Sequence, residues 1–249
     1  MRELFHVHTY RCRHAGKDSD ESYVEEAIRL GADAITFTDH TPFPGNPFDN
    51  RMDIEELPEY INSLQTLRKK YSRYLRIRIG LEVEYLPRYE AFYRRLHEAE
   101  GIDLLIIGQH FYQDENGDYS FGYNRKRLMQ VEAAGLCDAI IRACDSGFFY
   151  AVAHPDRIFR RRFSWSPDQD ELSLRLIRAA LRNGLLLEKN ISSVKKGFYR
   201  PQFWRHVPTH AQTIIGIDAH AARELSDALN PPAVFSDETP YSDSLTAAS

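Results

Sequence analysis

The stretch Leu4-Phe5-His6-Val7-His8 decides the fold of this chain, because it reads as an apolar strand that carries two histidines two residues apart. Residues two apart in a strand point to the same face, so the two imidazoles are expected to lie side by side. Five later apolar runs also end in His, Asp or Glu, and they begin at Ala34, Ile77, Leu104, Tyr150 and Ile214. Such consistent endings predict a metal site rather than scattered polar caps on strand ends.

A further apolar run, Leu185-Leu186-Leu187, supplies a seventh strand between helical segments. Apolar periodicity and capping residues predict helices over about 23–30, 54–71, 88–99, 125–146, 167–183, 202–206 and 221–229. Strands that alternate with helices pair in parallel through right-handed crossovers. The sequence therefore predicts an α/β fold, a distorted (β/α)7 barrel similar to the TIM barrel, with its active site at the C-terminal ends of the strands.

Length and composition predict a single domain over residues 1–229, because 249 residues with 43% apolar content can build one large core. The tail from 230 to 249 is rich in Pro, Ser, Asp and Thr, and we expect it to be loosely ordered. The formal net charge is 32 − 36 = −4, which argues against a nucleic-acid or anionic-membrane partner and favours a small molecule.

The cysteines and the N-terminal sequence predict a soluble cytoplasmic protein. Cys12, Cys137 and Cys144 are widely spaced and form no C-x-x-C pair, so neither a disulfide framework nor a cysteine zinc site is expected. The chain runs from Met1 directly into the first strand, without an apolar signal segment, and it contains no run of membrane-spanning length. The oligomeric state stays open.

Nine side chains near strand ends are candidate metal ligands: His6, His8, His14, His40, Glu82, His110, His154, Asp218 and His220. One ion takes four to six ligands, so the set predicts two or three ions. Imidazoles and carboxylates without thiolates suit zinc, manganese or iron, and the sequence does not choose among them. His97, His206 and His210 lie away from the strand ends and are interpreted as ordinary surface or packing residues.

At this point the chain resembles the PHP (polymerase and histidinol phosphatase) family, and within it the monofunctional histidinol-phosphatase branch. The resemblance covers almost the whole chain and rests on these motifs: His6-Val7-His8, Arg13-His14-Ala15, Thr38-Asp39-His40, Gly80-Leu81-Glu82, His110-Phe111, His154-Pro155-Asp156 and Asp218-Ala219-His220. It implies a cluster of three ions. One ion would take His6, His8, Glu82 and Asp218, a second Glu82, His110 and His154, and a third His14, His40 and His220.

The family resemblance also implies a catalytic centre. Glu82 would bridge two ions, and two cations that share a water lower its pKa and create a hydroxide able to attack phosphorus. The leaving alkoxide then needs a proton, which Asp39, His220 or a metal-bound water could supply. Asp39 is interpreted either as an orienter or proton carrier beside His40 or as a simple strand-end cap.

Basic residues after two strands are candidate substrate contacts. Arg157 and Arg160 follow His154, and each could fork onto a phosphate, although a solvated arginine run explains the same sequence. Lys195 and Asn190 lie in the motif that follows the sixth strand. They complete the predicted substrate-binding set.

That same motif departs from the histidinol-phosphatase branch at three positions. Ile191 stands where the branch has threonine, Ser193 where it has glycine, and Lys195 where it has arginine. The resemblance nevertheless implies hydrolysis of L-histidinol phosphate in histidine biosynthesis. The alternatives are a different small phosphomonoester and a noncatalytic, metal-stabilised module, which we would expect to have lost ligands. Nuclease activity fits poorly with the acidic balance.

Overall fold

Seven parallel strands close into a barrel in the computed structural model, which describes residues 2–162 and 164–236. They follow sequence order around the barrel, and the last pairs with the first. Their bounds are β1 Glu3–Val7, β2 Ala34–His40, β3 Arg76–Val83, β4 Leu104–Ile107, β5 Ala151–Val152, β6 Leu186–Asn190 and β7 Thr213–Ala219. The predicted (β/α)7 barrel is confirmed.

Helices connect the strands, and most lie where periodicity predicts them. They are α1 Asp20–Arg29, α2 Leu57–Lys70, α3 Glu90–His97, α4 Arg125–Ser146, α5 Pro167–Arg182, α6 Ile191–Lys195 and α7 Pro201–Trp204. The bounds of α4 agree with the prediction at both ends, because Asn124 caps its first turn and Gly147 adopts the left-handed conformation after its last. The short α6 was not predicted, and the last segment, Ala222–Leu229, is a 3₁₀ helix.

The helix starts depend on local hydrogen bonds that periodicity does not reveal. The Ser19 side chain accepts a hydrogen bond from the backbone of Ser22, so α1 begins at Asp20 rather than at Tyr23. In the described part of the chain, no helix combines the length and apolar character needed to cross a membrane.

Two apolar clusters stabilise the barrel. The larger fills the space between strands and helices, and it includes Leu4 and Val7 of β1. The smaller consists of Phe5, Leu104, Ile106, Ala151 and Ala153, which occupy the barrel interior. Leu4 and Phe5 thus face opposite sides of the sheet, as alternation requires.

The described chain ends beyond the predicted domain boundary. A 3₁₀ turn covers Ala233–Phe235, and the ring of Phe235 is buried with its centroid 5.3 Å from that of Tyr199. Residues 237–249 lie outside the described residues, so the division at residue 229 and the character of the tail stay predictions.

Candidate metal centre

All nine candidate ligands meet at the C-terminal ends of the strands. In each of five overlapping groups of described residues, the ligand atoms of that group lie within 4.8 Å of one another. One group, His8, Cys12 and His40, includes a cysteine that is not a predicted ligand. The other four consist of predicted ligands alone: His6, His8 and Asp218; His6, Glu82 and His154; His40, Glu82 and His110; and His14, His40 and His220. We call these nine residues the metal cluster. The last group matches the predicted third ion, whereas the others share His6, Glu82 and His40, so the assignment of each ligand to one ion stays a prediction.

Glu82 lies at the centre of the metal cluster and is buried. Its carboxylate oxygens lie between 2.9 and 3.9 Å from ring nitrogens of five histidines: His6, His8, His40, His110 and His154. Burial alone would raise the pKa of this carboxyl, but the surrounding imidazoles outweigh it and hold the pKa well below its usual range. The carboxylate form, which binds metals, is therefore favoured.

Two imidazole nitrogens of the metal cluster lack a hydrogen bond to any of the described residues and are available to a metal ion. Nε2 of His6 and Nε2 of His8 are buried and have no hydrogen-bond partner. A buried polar atom without a partner is unfavourable unless something occupies its lone pair. Burial, followed by the neighbouring His220, lowers the pKa of His8 well below its ordinary value. This direction favours the neutral imidazole, which is the form that binds a metal ion.

Three residues of the metal cluster have backbone conformations that L-residues rarely adopt. The φ angles are 69° at His6, 33° at His154 and 57° at Asp218. The β1 ladder is irregular between Phe5 and Val7, so a bulge at His6 interrupts the alternation. Strict alternation along β1 requires an unbroken strand. The bulge is what lets Phe5 and the next residue, His6, both face the interior, and strain of this kind concentrates at functional sites.

In three histidines of the metal cluster, the Nδ1 nitrogen contacts a carboxylate or a thiol. Nδ1 of His6 donates to Oε1 of Glu188 at 2.6 Å, and Nδ1 of His110 donates to Oε1 of Glu84 at 2.8 Å. Nδ1 of His8 lies 3.2 Å from Sγ of Cys12. Such partners orient metal-binding histidines.

These partners are not among the residues that the sequence predicts for the site. A signal was available for Glu84, which lies two residues after Glu82 and therefore on the same face of the strand. A second signal was available for Glu188, which follows the apolar run of β6 as Glu82 follows that of β3.

Asp39 is fully buried and acts on the backbone near the metal cluster. Its Oδ1 accepts hydrogen bonds from the backbone of Thr9 at 2.8 Å and from Sγ of Cys12 at 2.9 Å. The same sulfur accepts from the backbone of His40. Burial raises the pKa of Asp39 to about 6. Its contacts fit the orienting role better than that of a proton carrier, because the side chain is fully buried and binds Thr9 and Cys12 beside His8 and His40.

The metal cluster borders a cavity of about 580 Å³, called the main cavity below. Five ligands line it: His14, His40, His110, Asp218 and His220. Arg157 and Lys196 add positive charge to the same cavity, and Phe48, Phe111 and Phe121 form an aromatic wall. The cavity therefore combines ligands for cations, groups that attract an anion and a surface for a flat ring.

The four candidate substrate contacts occupy different places. Arg157 lines the main cavity, with Nη1 3.4 Å from Oδ2 of Asp218. Arg160 donates instead to Oε1 of Glu132 at 2.7 Å and to the backbone oxygen of His110 at 2.9 Å. Its guanidinium thereby supports the loop that carries His110.

Lys195 and Asn190 lie further from the main cavity. Lys195 forms an ion pair with Asp227 and lines a smaller cavity of about 260 Å³. Asn190 is fully buried, where its Oδ1 accepts from the backbone of Ser193 at 2.7 Å and caps α6. The three departures from the family motif all lie in α6, and Ile191 is buried within it. Of α6 and the residue that follows it, only Lys196 reaches the main cavity.

The chain is similar in sequence to a known protein family and to proteins of that family. A family model described as the PHP domain matches residues 5–192 of the chain. A histidinol-phosphatase of Bacillus subtilis (strain 168) is 26% identical over 251 residues, which cover 88% of this chain and 94% of that relative. A histidinol-phosphatase of Lactococcus lactis subsp. lactis (strain IL1403) is 30% identical over 116 residues, which cover 44% of this chain and 40% of the relative.

A solved structure has the same fold. Histidinol phosphate phosphatase from Lactococcus lactis subsp. lactis Il1403, complexed with zinc, L-histidinol and phosphate, superposes with a TM-score of 0.69. The alignment covers 96% of this chain and 94% of that one at 18% sequence identity. At this level of identity the likeness shows the barrel fold alone.

Proposed function

Because this chain belongs to the PHP domain family, we propose that it is a metal-dependent phosphomonoesterase that hydrolyses L-histidinol phosphate to L-histidinol and phosphate. The observation that carries the proposal is the metal cluster, whose nine predicted ligands all meet beside one cavity. The B. subtilis relative, which bears the name histidinol-phosphatase and matches along nearly its whole length, supports the choice of substrate.

The metal cluster would hold two or three divalent ions, namely zinc, manganese or iron. The unpartnered nitrogens of His6 and His8 and the central carboxylate of Glu82 support this, since imidazole nitrogens and carboxylates are ligands that these ions prefer. When bound, such ions lower the pKa of water and neutralise phosphate oxygens. The L. lactis protein was solved with zinc, which supports a divalent cofactor here.

The protein's own cations would bind the phosphate. Arg157 lines the main cavity and makes one long hydrogen bond to Asp218. Its guanidinium can therefore donate to two phosphate oxygens while it stays near the predicted ligands. Lys196 lines the same cavity and adds a point charge. We therefore assign phosphate binding to Arg157 and Lys196 rather than to Arg160 and Lys195, whose charges are engaged by Glu132 and Asp227.

The alcohol half of the substrate would lie on the aromatic wall. L-histidinol carries a flat imidazole ring and an amine, and the rings of Phe48 and Phe111, 4.6 Å apart, offer a surface on which a flat ring can stack. Asp49 lines the same cavity and offers a carboxylate to an amine. A small phosphomonoester without a ring would leave this wall uncovered.

A panel of phosphomonoesters tests the proposal. The purified protein, supplemented with zinc, manganese or iron, is assayed for phosphate release from L-histidinol phosphate, sugar phosphates and nucleotides, and its bound metals are counted. We expect the highest kcat/KM for L-histidinol phosphate. A preference of about tenfold or more for another ester would favour the alternative substrate. Absence of hydrolysis in a fully metal-loaded protein would favour a noncatalytic module.

A further inference from the structure

Glu188, at the end of β6, is fully buried and makes three hydrogen bonds. Oε1 accepts from Nδ1 of His6 at 2.6 Å, and Oε2 accepts from the backbone nitrogen of His154 at 2.8 Å and from Nδ2 of Asn190 at 3.0 Å. A carboxylate can only accept, so Nδ1 of His6 carries a proton. The other nitrogen, Nε2, then turns towards Glu82, 3.5 Å away, at the centre of the metal cluster.

The two histidines that Glu188 contacts are also two of the three cluster residues with left-handed backbone. His6 has φ 69° and His154 has φ 33°. Such conformations are disfavoured for residues with a side chain and persist only when the surroundings hold them. One carboxylate therefore holds the ring of His6 and the peptide of His154, which lie on opposite sides of β6 and β7 in the closed barrel.

Gly216 of β7 provides the space for this carboxylate. A Cβ atom at position 216 would lie 1.6 Å from Oε1 and 2.4 Å from Cδ of Glu188. Both are far inside the separation that carbon and oxygen atoms tolerate, so any side chain there would displace the carboxylate. The missing side chain of Gly216 thus leaves room for Glu188 beside the metal cluster.

We propose that Glu188 is a positioning residue of the metal centre, which fixes the tautomer of His6 and the backbone of His154 and thereby sets the affinity for the ions they bind. It lines neither the main cavity nor the smaller one, so it acts through the ligands and not on the substrate. The inference rests on the proposed function in one respect, that ions are bound at all. Loss of such a partner typically weakens metal binding about 10- to 100-fold.

The test measures metal affinity and histidine protonation in the full chain. Chelator competition gives the zinc dissociation constants of the wild type, Glu188→Ala and Glu188→Gln, and ¹⁵N NMR of the histidine rings reports which nitrogen of His6 is protonated. Asp103→Asn is the matched control, because that carboxylate accepts from the backbone of Ile79 at the opposite end of the strands. We expect about 10- to 100-fold weaker binding in Glu188→Ala, and no change in the control.

The glutamine variant separates positioning from simple packing. A glutamine has the same shape but a single acceptor oxygen, so it can serve His6 or His154 but not both. We expect an intermediate affinity, with Nδ1 of His6 protonated to a smaller extent than in the wild type. A structural role alone would give glutamine and wild type the same affinity and the same His6 spectrum.

Two results would overturn the inference. One is a zinc affinity of Glu188→Gln within about threefold of the wild type, whatever the affinity of Glu188→Ala, because it would indicate a packing role alone. The other is a wild-type protein in which Nδ1 of His6 carries no proton, and this result needs no variant to fold. If the wild type bound no metal, the proposed function would fail, while the NMR measurement would still decide the protonation of His6.

Discussion

Replacing Gly108 by alanine should disable the metal centre through a single methyl group. Gly108 follows β4, and a Cβ atom there would lie 1.9 Å from Oε1, 2.2 Å from Cγ and 2.3 Å from Cδ of Glu82. Real Cβ contacts almost never fall below 3.0 Å, so the carboxylate must move by at least 3.0 − 1.9 = 1.1 Å. Glu82 lies within hydrogen-bond distance of His40 and His154, and a shift of this size breaks that arrangement.

The expected loss follows from that displacement. A misplacement of about 1 Å can reduce catalysis by about 100-fold, and overpacking a core destabilises by about 1–3 kcal/mol. At about 2–4 °C per kcal/mol for a domain of this size, Tm should fall by about 2–12 °C. We therefore expect Gly108→Ala to lower kcat/KM for L-histidinol phosphate by about 100-fold or more and to release at least one ion.

The assays are phosphate release, elemental analysis and thermal unfolding of the same preparation. Gly122→Ala serves as the control, because no atom lies within 4 Å of the Cβ position and its backbone is unstrained. A Gly108→Ala protein that keeps its metals and stays within about threefold of wild-type kcat/KM would refute the reasoning, since Glu82 could then have moved without consequence.

Three further predictions follow from the same geometry. Elemental analysis of the wild type should find two or three ions per chain, and Glu82→Ala should lose at least one of them. A chelator should abolish phosphate release, and a wild type with one ion or none after metal supplementation would contradict the predicted metal cluster. Arg157→Ala should lower kcat/KM by about 100-fold at unchanged metal content, whereas Lys195→Ala should stay within about threefold; the reverse ranking would place the phosphate in the smaller cavity. Cys137 and Cys144 are buried, and burial raises the pKa of each thiol to about 12. Neither should therefore react with a thiol reagent at pH 8 in the native protein, and rapid labelling of either would contradict the packing of α4.

The barrel and the grouping of the nine candidate ligands could be predicted from the sequence because both depend mainly on position along a strand. In a parallel barrel all C-terminal strand ends meet, so a histidine or acid after each apolar run reaches one place regardless of packing details. The candidate substrate contacts depend also on the conformation of the loops that follow the strands. Whether Arg157 or Arg160 faces the main cavity is decided by the 3₁₀ turn Pro155–Phe159, whose start at His154 has a left-handed backbone. Spacing within an arginine run does not predict such a turn.

The bulge at His6 shows a different limit. Two histidines two residues apart predict a shared face only if the strand is regular, and here the irregularity moves the register by one residue. Phe5 occupies the barrel interior, so in a regular strand His6 would face outward. The bulge turns His6 inward as well, and His6 and His8 therefore still share a face. The ring centroids of the two histidines lie 5.0 Å apart. A bulge adds a residue without a compositional mark, so no pattern in the five residues of β1 reveals it.

Two buried glutamates, the candidate ligand Glu82 and the His6 partner Glu188, each lie against a glycine in or directly after the next strand. Glu82 of β3 pairs in register with Ile106 of β4, and Glu188 of β6 pairs in register with Ile214 of β7. In both cases the residue two positions beyond the partner is a glycine, Gly108 or Gly216, whose missing side chain admits the buried carboxylate. Residues two apart face the same side of a strand, so each glycine lies on the side of the sheet towards which the glutamate points. The arrangement recurs at β3–β4 and at β6–β7, so in both places a glycine in or directly after the neighbouring strand leaves room for a buried carboxylate, and this supports the proposed role of Glu188 beside the metal cluster.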